Sequence, residues 1–234
     1  MDFIALVVDF IRFAFDFLLH LDKHLAEIIQ AYGVWTYAIL FTIVFAETGL
    51  LVGFFLPGDS LLVTAGIFCT TANPTGTPLL NIVWLNVIVI AAAIVGDTLG
   101  YWIGAKTGPK IFTRERSLFF SRKHLLRTKE FYERHGGKTI IIARFIPIIR
   151  TFAPVVAGVG KMSYRRFVSY NVFGGIGWVL SMTLLGFTLG KAYPPITKQI
   201  DKVIIVIIAV SLMPMVISYL LNRKKAPSAP TPAA

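Results

Sequence analysis

Charge is scarce in this chain. Only 15% of its 234 residues are charged and 56% are hydrophobic, whereas a soluble domain carries about 25% charged residues. Such a composition excludes an ordinary water-soluble globule, and it is too apolar for intrinsic disorder. Cysteine is nearly missing too. Cys69 stands alone, which rules out a disulfide framework and a cysteine-based zinc site. Enzyme signatures are absent: there is no HExxH, no GxSxG and no P-loop pattern. The four histidines (His20, His24, His124, His135) lie outside the hydrophobic runs. His20 and His24 are spaced like ligands on one helix face, but no third ligand stands near them. The expectation is a protein with no metal, no cofactor and no catalytic chemistry.

Basic residues are missing from one long stretch. After Lys23 no Lys or Arg occurs until Lys106, and between residues 28 and 105 the only charges are Glu47, Asp59 and Asp97. Residues 106–138 then hold ten Lys/Arg against Glu115, Glu130 and Glu133. Lys161, Arg165 and Arg166 form a second basic group, and Arg223, Lys224 and Lys225 a third. Short Lys/Arg-rich loops stay on the cytoplasmic side of a membrane. The net charge of +11 is therefore mostly a topology signal, and nucleic acid is not expected as a partner.

Spanning a bilayer takes about 20 apolar residues in a helix. The runs 80–105, 167–190 and 203–222 qualify, and the chain divides into an amphipathic N-terminal helix (1–30), a transmembrane domain (31–222) and a disordered cytoplasmic tail (223–234). In the first of these, Asp9, Arg12, Asp16, His20, Lys23 and Glu27 share one helical face, and no secretory signal peptide is legible. Two further runs, 36–63 and 139–160, are long but interrupted, by Pro57-Gly58 and by Pro147 and Pro154. Irregular backbone at membrane depth survives only where protein or a water-filled cavity covers it. Both runs are therefore read as re-entrant hairpins.

The positive-inside rule requires these hairpins to open to opposite sides. The predicted fold is an all-α polytopic membrane protein with two opposed re-entrant hairpins and spanning helices in an inverted repeat, as transporters use. Ala46-Glu47 leading to Phe55-Leu56-Pro57 parallels Ala143-Arg144 leading to Phe152-Ala153-Pro154, 97 residues later. That alignment makes Glu47 and Arg144 equivalent and suggests that they meet across a pseudo-twofold axis.

Glu47, Asp59, Arg144 and Arg150 are the unusual residues, each inside apolar sequence and near a helix breaker. One charge at the bilayer centre costs about 2.5–3.5 kcal/mol, so four isolated charges would cost on the order of 10 kcal/mol. Pairing acids of one hairpin with arginines of the other would offset much of this. A purely structural lock is one reading, although buried ion pairs are often no better for stability than apolar replacements. The other is a transport site. Arginine's planar fork matches phosphate oxygens, and burial favours the neutral form of a carboxylate, which lets it exchange a proton. On that reading Arg144 and Arg150 bind substrate phosphate, and Glu47 and Asp59 couple transport to protons.

Asp97, Tyr164 and Arg165 are candidates for supporting roles. Asp97 lies beside Gly96 in the run Gly96, Gly100, Gly104, whose spacing lets helices approach closely. Gly174, Gly175, Gly177, Gly186 and Gly190 suggest a similar packing surface. Tyr164, Arg165 and Arg166 follow Ser163, a suitable N-cap, and suit an anchor at lipid headgroups. Residues 121–134 read as a basic amphipathic helix on anionic lipid.

At ETG (Glu47–Gly49), FLPGDS (Phe55–Ser60), GD (Gly96–Asp97), Phe131–Gly158 and MSYRRF (Met162–Phe167) the chain resembles the DedA family of bacterial inner-membrane proteins. That family is similar to the eukaryotic VTT-domain lipid scramblases. The resemblance spans residues 25–220. It implies two facing re-entrant hairpins, a multi-pass protein of the bacterial inner membrane with its C-terminus in the cytoplasm, and proton-motive-force-dependent return of the lipid carrier undecaprenyl phosphate across that membrane. The family's essential acids and arginines fall on Glu47, Asp59, Arg144 and Arg150. Expected partners are the polyprenyl phosphate, membrane lipids and a second copy of the chain. Competing readings are a phospholipid scramblase without proton coupling, a proton-coupled exporter of small cations or drugs, and a structural protein without flux.

Overall fold

The computed structural model describes residues 21–50, 58–71, 78–111 and 137–193. These residues form α1 (Leu21–Tyr32), a 3-10 turn (Gly33–Trp35), α2 (Thr36–Gly49), α3 (Gly58–Phe68), α4 (Ile82–Ile111), α5 (Lys138–Ala143), α6 (Pro147–Val159) and α7 (Tyr164–Ala192). The first 20 residues, the amphipathic segment 121–134, the apolar run 203–222 and the tail lie outside the described residues.

Among the described residues, two helices are long and apolar enough to cross a membrane: Ile82–Thr107 with 26 residues and Tyr164–Ala192 with 29. At 1.5 Å per residue these are roughly 39 and 44 Å long, more than a hydrocarbon core of about 30 Å. They coincide with the predicted runs 80–105 and 167–190. The helix of α4 continues to Ile111, past the apolar run, because adding polar residues to an established helix is easy compared with nucleating one. Val83, Trp84, Val87, Val95 and Trp102 on α4 and Phe173, Leu184 and Leu185 on α7 are exposed. In water such faces would be a liability, whereas in lipid they are well solvated.

Asn81 starts α4. Its Oδ1 accepts hydrogen bonds from the amides of Val83 and Trp84 at 2.9 and 3.2 Å. Its own amide donates to the Tyr37 hydroxyl at 2.7 Å, which ties the start of α4 to the start of α2. Replacing Asn81 with alanine is expected to cost about 1 kcal/mol, read as a lower thermal midpoint in detergent micelles. Ser163 does occupy the N-cap position of α7, in an extended conformation, but its hydroxyl makes no capping bond.

The interrupted runs are broken, though not everywhere at the prolines. In the second run the helix stops after Ala143, and Pro147 is the first residue of α6. Proline disfavours helical backbone in the residue before it and suits the first helical turn itself, and Ile146 is accordingly extended. Pro154 lies within α6 without ending it. In the first run α2 ends at Gly49 and α3 begins at Gly58.

The short helices are sorted between the long ones. Helix α2 packs on α4 and α3 on α7, while α6 packs on α4 and α5 on α7, and the two long helices touch each other. All eleven residues of α3 are buried. Two seams are made by glycines. A Cβ at Gly66 would strike the Thr183 carbonyl, and one at Gly186 would strike the Val63 carbonyl. Likewise a Cβ at Gly158 would strike the Tyr101 carbonyl, and one at Gly104 the Val155 carbonyl. The Val63–Gly66 stretch (VTAG) on α7 is thus matched by Val155–Gly158 (VVAG) on α4. The larger apolar core joins α1, α2, α3, α4 and α7 through residues such as Leu40, Leu62, Leu85 and Val179. A smaller one gathers Tyr101, Ile140, Ala157 and Phe167.

Candidate functional site

Among the described residues, five charged side chains are buried in this helical packing, one from each of five segments. Glu47 comes from α2, Asp59 from the first turn of α3, Asp97 from α4, Arg144 from the break after α5, and Arg150 from α6. Their exposures are 1%, 8%, 1%, 1% and 4%. Burial this complete demands partners, because a lone charge in an apolar interior is very costly.

Arg150 reaches two acids. Its Nη1 donates to Asp59 Oδ1 at 2.6 Å and its Nη2 donates to Glu47 Oε1. The guanidinium also lies over the Trp178 ring, 4.5 Å from its centroid, a cation–π contact that gains strength away from water. The Trp178 indole in turn donates Nε1–H to Asp59 Oδ1 at 2.8 Å. Glu47 is held close to the start of α3: a Cβ on Gly58 would collide with its carboxylate and push it from its present position.

Arg144 has a separate set of partners. Its Nη2 donates to Asp97 Oδ2 and to Asn171 Oδ1. The Asn171 amide nitrogen donates to the Ile94 carbonyl at 3.0 Å, which fixes the orientation of its oxygen. Gly174 and Gly175 open the space beside this arginine. A Cβ on Gly174 would lie 3.0 Å from Arg144 Cδ, and one on Gly175 3.6 Å from Nη1.

All four residues expected to carry the site therefore belong to one buried cluster, and Asp97 joins them. The expected meeting of Glu47 with Arg144 does not occur. Glu47 pairs with Arg150, and the acid beside Arg144 comes from the long helix α4 rather than from the first interrupted run. Tyr164 and Arg165 lie elsewhere, in the first turn of α7. The Tyr164 ring packs against Tyr101 and Trp102, at centroid distances of 5.6 and 5.5 Å, and Arg165 is exposed. Their surroundings suit an interfacial anchor of aromatic and basic residues.

Asn171 and Trp178 were missed by the sequence reading, and Gly174 and Gly175 were read only as packing residues. The signal was present in their spacing: positions 171, 174, 175 and 178 fall on one face of a helix. All four touch an arginine or border the space it fills. Several buried polar atoms of the cluster have no hydrogen-bond partner, namely Arg144 Nε and Nη1, Arg150 Nε, Glu47 Oε2 and Asp97 Oδ1. Among the described residues no group of His, Cys, Asp and Glu is arranged to hold a metal ion.

Residues 56–188 match the VTT domain. Over 219 residues the chain is 49% identical to Protein DedA of Escherichia coli strain K12, covering 94% of this chain and 98% of that protein. It is 40% identical over 209 residues to an uncharacterized membrane protein of Mycobacterium tuberculosis strain ATCC 25618 / H37Rv, covering 86% and 89% of the two chains. Inner membrane protein YqjA of E. coli K12 is 35% identical over 167 residues, 71% of this chain and 72% of that one. No solved structure matches.

Proposed function

Because the chain belongs to the DedA family of VTT-domain membrane proteins, we propose that it is a flippase that returns a polyprenyl phosphate, undecaprenyl phosphate, across the bacterial inner membrane at the expense of the proton motive force. It acts as a multi-pass transporter with its C-terminus in the cytoplasm and without catalytic chemistry. Its partners are the lipid substrate, the surrounding lipids and a second copy of the chain.

The observation that carries this reading is the buried arrangement of Arg150 between Glu47 and Asp59. The acids come from one broken apolar run and the arginine from the other. A phosphate on Arg150 competes with two carboxylates for the same donors, and protonating those carboxylates weakens their hold. Substrate and protons then exchange at one place, and proton uptake on one side of the membrane with release on the other drives the cycle. The isoprenoid tail stays in lipid while the headgroup moves along a lateral opening between the broken helices and α4 and α7.

An inverted repeat of two re-entrant hairpins accounts for the sorting of the short helices. Exchanging the first hairpin (α2, α3) with the second (α5, α6), and α4 with α7, leaves unchanged which long helix each short helix packs on. The pair of glycine seams follows the same exchange. That correspondence aligns Val63–Gly66 with Val155–Gly158, a register different from the one suggested by the proline motifs.

The test is accessibility of undecaprenyl phosphate on the two leaflets of liposomes carrying the purified protein, with and without a pH gradient. Gradient-accelerated movement of undecaprenyl phosphate is the expected result. Equal movement of ordinary phospholipids in the absence of a gradient would replace the proposal with a scramblase. Transport that survives loss of both arginines but not of the acids would point to a cation exporter.

A further inference from the structure

The two arginines share no hydrogen-bond partner. Arg144 is bound by Asp97 and Asn171, whereas Arg150 is bound by Glu47, Asp59 and Trp178. Their contacts on α7 are also at different heights. Asn171 and Trp178 are seven residues apart, which is about 10 Å along a helix axis. Trp178 sits at the middle of the 29-residue α7, and Asn171 lies two turns nearer its N-terminal end.

Resting on the phosphate-lipid reading above, we infer that the cluster is two phosphate stations in series: an entry station of Arg144 with Asp97 and Asn171, and a central station of Arg150 with Glu47, Asp59 and Trp178. Guanidinium and phosphate engage at N···O distances of about 2.7–2.9 Å, for which the existing partners of each arginine must leave a donor free. Each station has unused binding capacity of its own. Arg144 keeps Nε and Nη1 without a partner and Arg150 keeps Nε, while Asp97 Oδ1 and Glu47 Oε2 are also unpaired. The side chains of both arginines are no more than 3% exposed. A buried, charged donor without an acceptor is costly, and a phosphate oxygen supplies the acceptor.

The stations differ in rigidity. Arg144 is fixed by Asn171, itself anchored to the Ile94 carbonyl, and lies against Gly174 and Gly175. Arg150 is held by two carboxylates and Arg144 by one, Asp97, so protonation loosens the Arg150 station more. The headgroup accordingly meets a fixed arginine first and a proton-controlled one second. Exit from the central station is the step that protons govern.

The test is binding of farnesyl monophosphate to the full chain in lipid nanodiscs, by titration calorimetry. The expected result is two molecules bound per wild-type chain and one per chain in each of Arg144→Gln and Arg150→Gln. Asn171→Ala, which removes no charge, should weaken one of the two binding events about tenfold, the effect of one hydrogen bond to a charged group, and leave the other unchanged. One molecule per wild-type chain, whichever variant abolishes it, would overturn the two-station inference and leave a single phosphate site standing. No binding to the wild-type chain would overturn the phosphate reading itself.

Discussion

Arg150→Ala is expected to abolish transport and to lower the stability of the folded protein by about 3–5 kcal/mol, the effect of removing one partner from a buried ion pair. The residue donates both to the Glu47 carboxylate and to Asp59 Oδ1, which Trp178 also binds. Its loss strands negative charge in an apolar interior. The two consequences are separated by a compensated variant, Arg150→Met combined with Glu47→Gln and Asp59→Asn. With no charge left to strand, most of the stability should return, as seen when buried ion pairs are replaced by apolar groups of similar size. Transport should not return. Thermal unfolding in micelles reads the first quantity and the liposome assay the second. A compensated variant that transports at the wild-type rate would reduce the cluster to a structural lock.

Trp178→Ala is the second large effect. Trp178 is wholly buried and heads the largest such side chains. Truncating a buried Trp to Ala costs about 3–5 kcal/mol, and here the cavity would open beside Arg150. Trp178→Phe separates packing from polarity. It keeps an aromatic face for the guanidinium but removes the Nε1–H that binds Asp59 Oδ1 at 2.8 Å, a bond to a charged acceptor worth about 1.5–3 kcal/mol. The expected order of stability is wild type, then Phe, then Ala, measured as thermal midpoints. Equal midpoints for wild type and Phe would show that the indole N–H does not hold Asp59.

The charged membership of the site was legible in the sequence, but its pairing was not. Glu47, Asp59, Arg144 and Arg150 stand out because charge in an apolar run is costly, and that argument needs no coordinates. It says nothing about which acid meets which base, since all four could satisfy one another in several ways. The choice is made by helix packing. Because α2 and α6 both lie against α4, Glu47 is brought to Arg150, while Arg144, on the α7 side, finds Asp97 and Asn171. Asn171 and Trp178 were hidden for a different reason: neutral residues on a long apolar helix cost little and leave no hydropathy signal. The same limit applied to the fold. Length and hydropathy located α4 and α7, and prolines located the broken runs, but the helix stops after Ala143, ahead of the extended Ile146 that Pro147 imposes.

The complete burial of α3 has a consequence for how the chain is made. An 11-residue helix is about 16 Å long, too short to cross the bilayer, and it carries Asp59, Ser60 and Thr64. Its principal cover is α7, and the contact of Gly66 with Thr183 joins residues more than a hundred positions apart. At a synthesis rate of roughly 5–20 residues per second, α3 waits on the order of ten seconds after leaving the ribosome before α7 exists. During that interval α3 lacks its principal cover. Among the described helices, α3 is thus made early and covered late, and α7 is the helix that covers it.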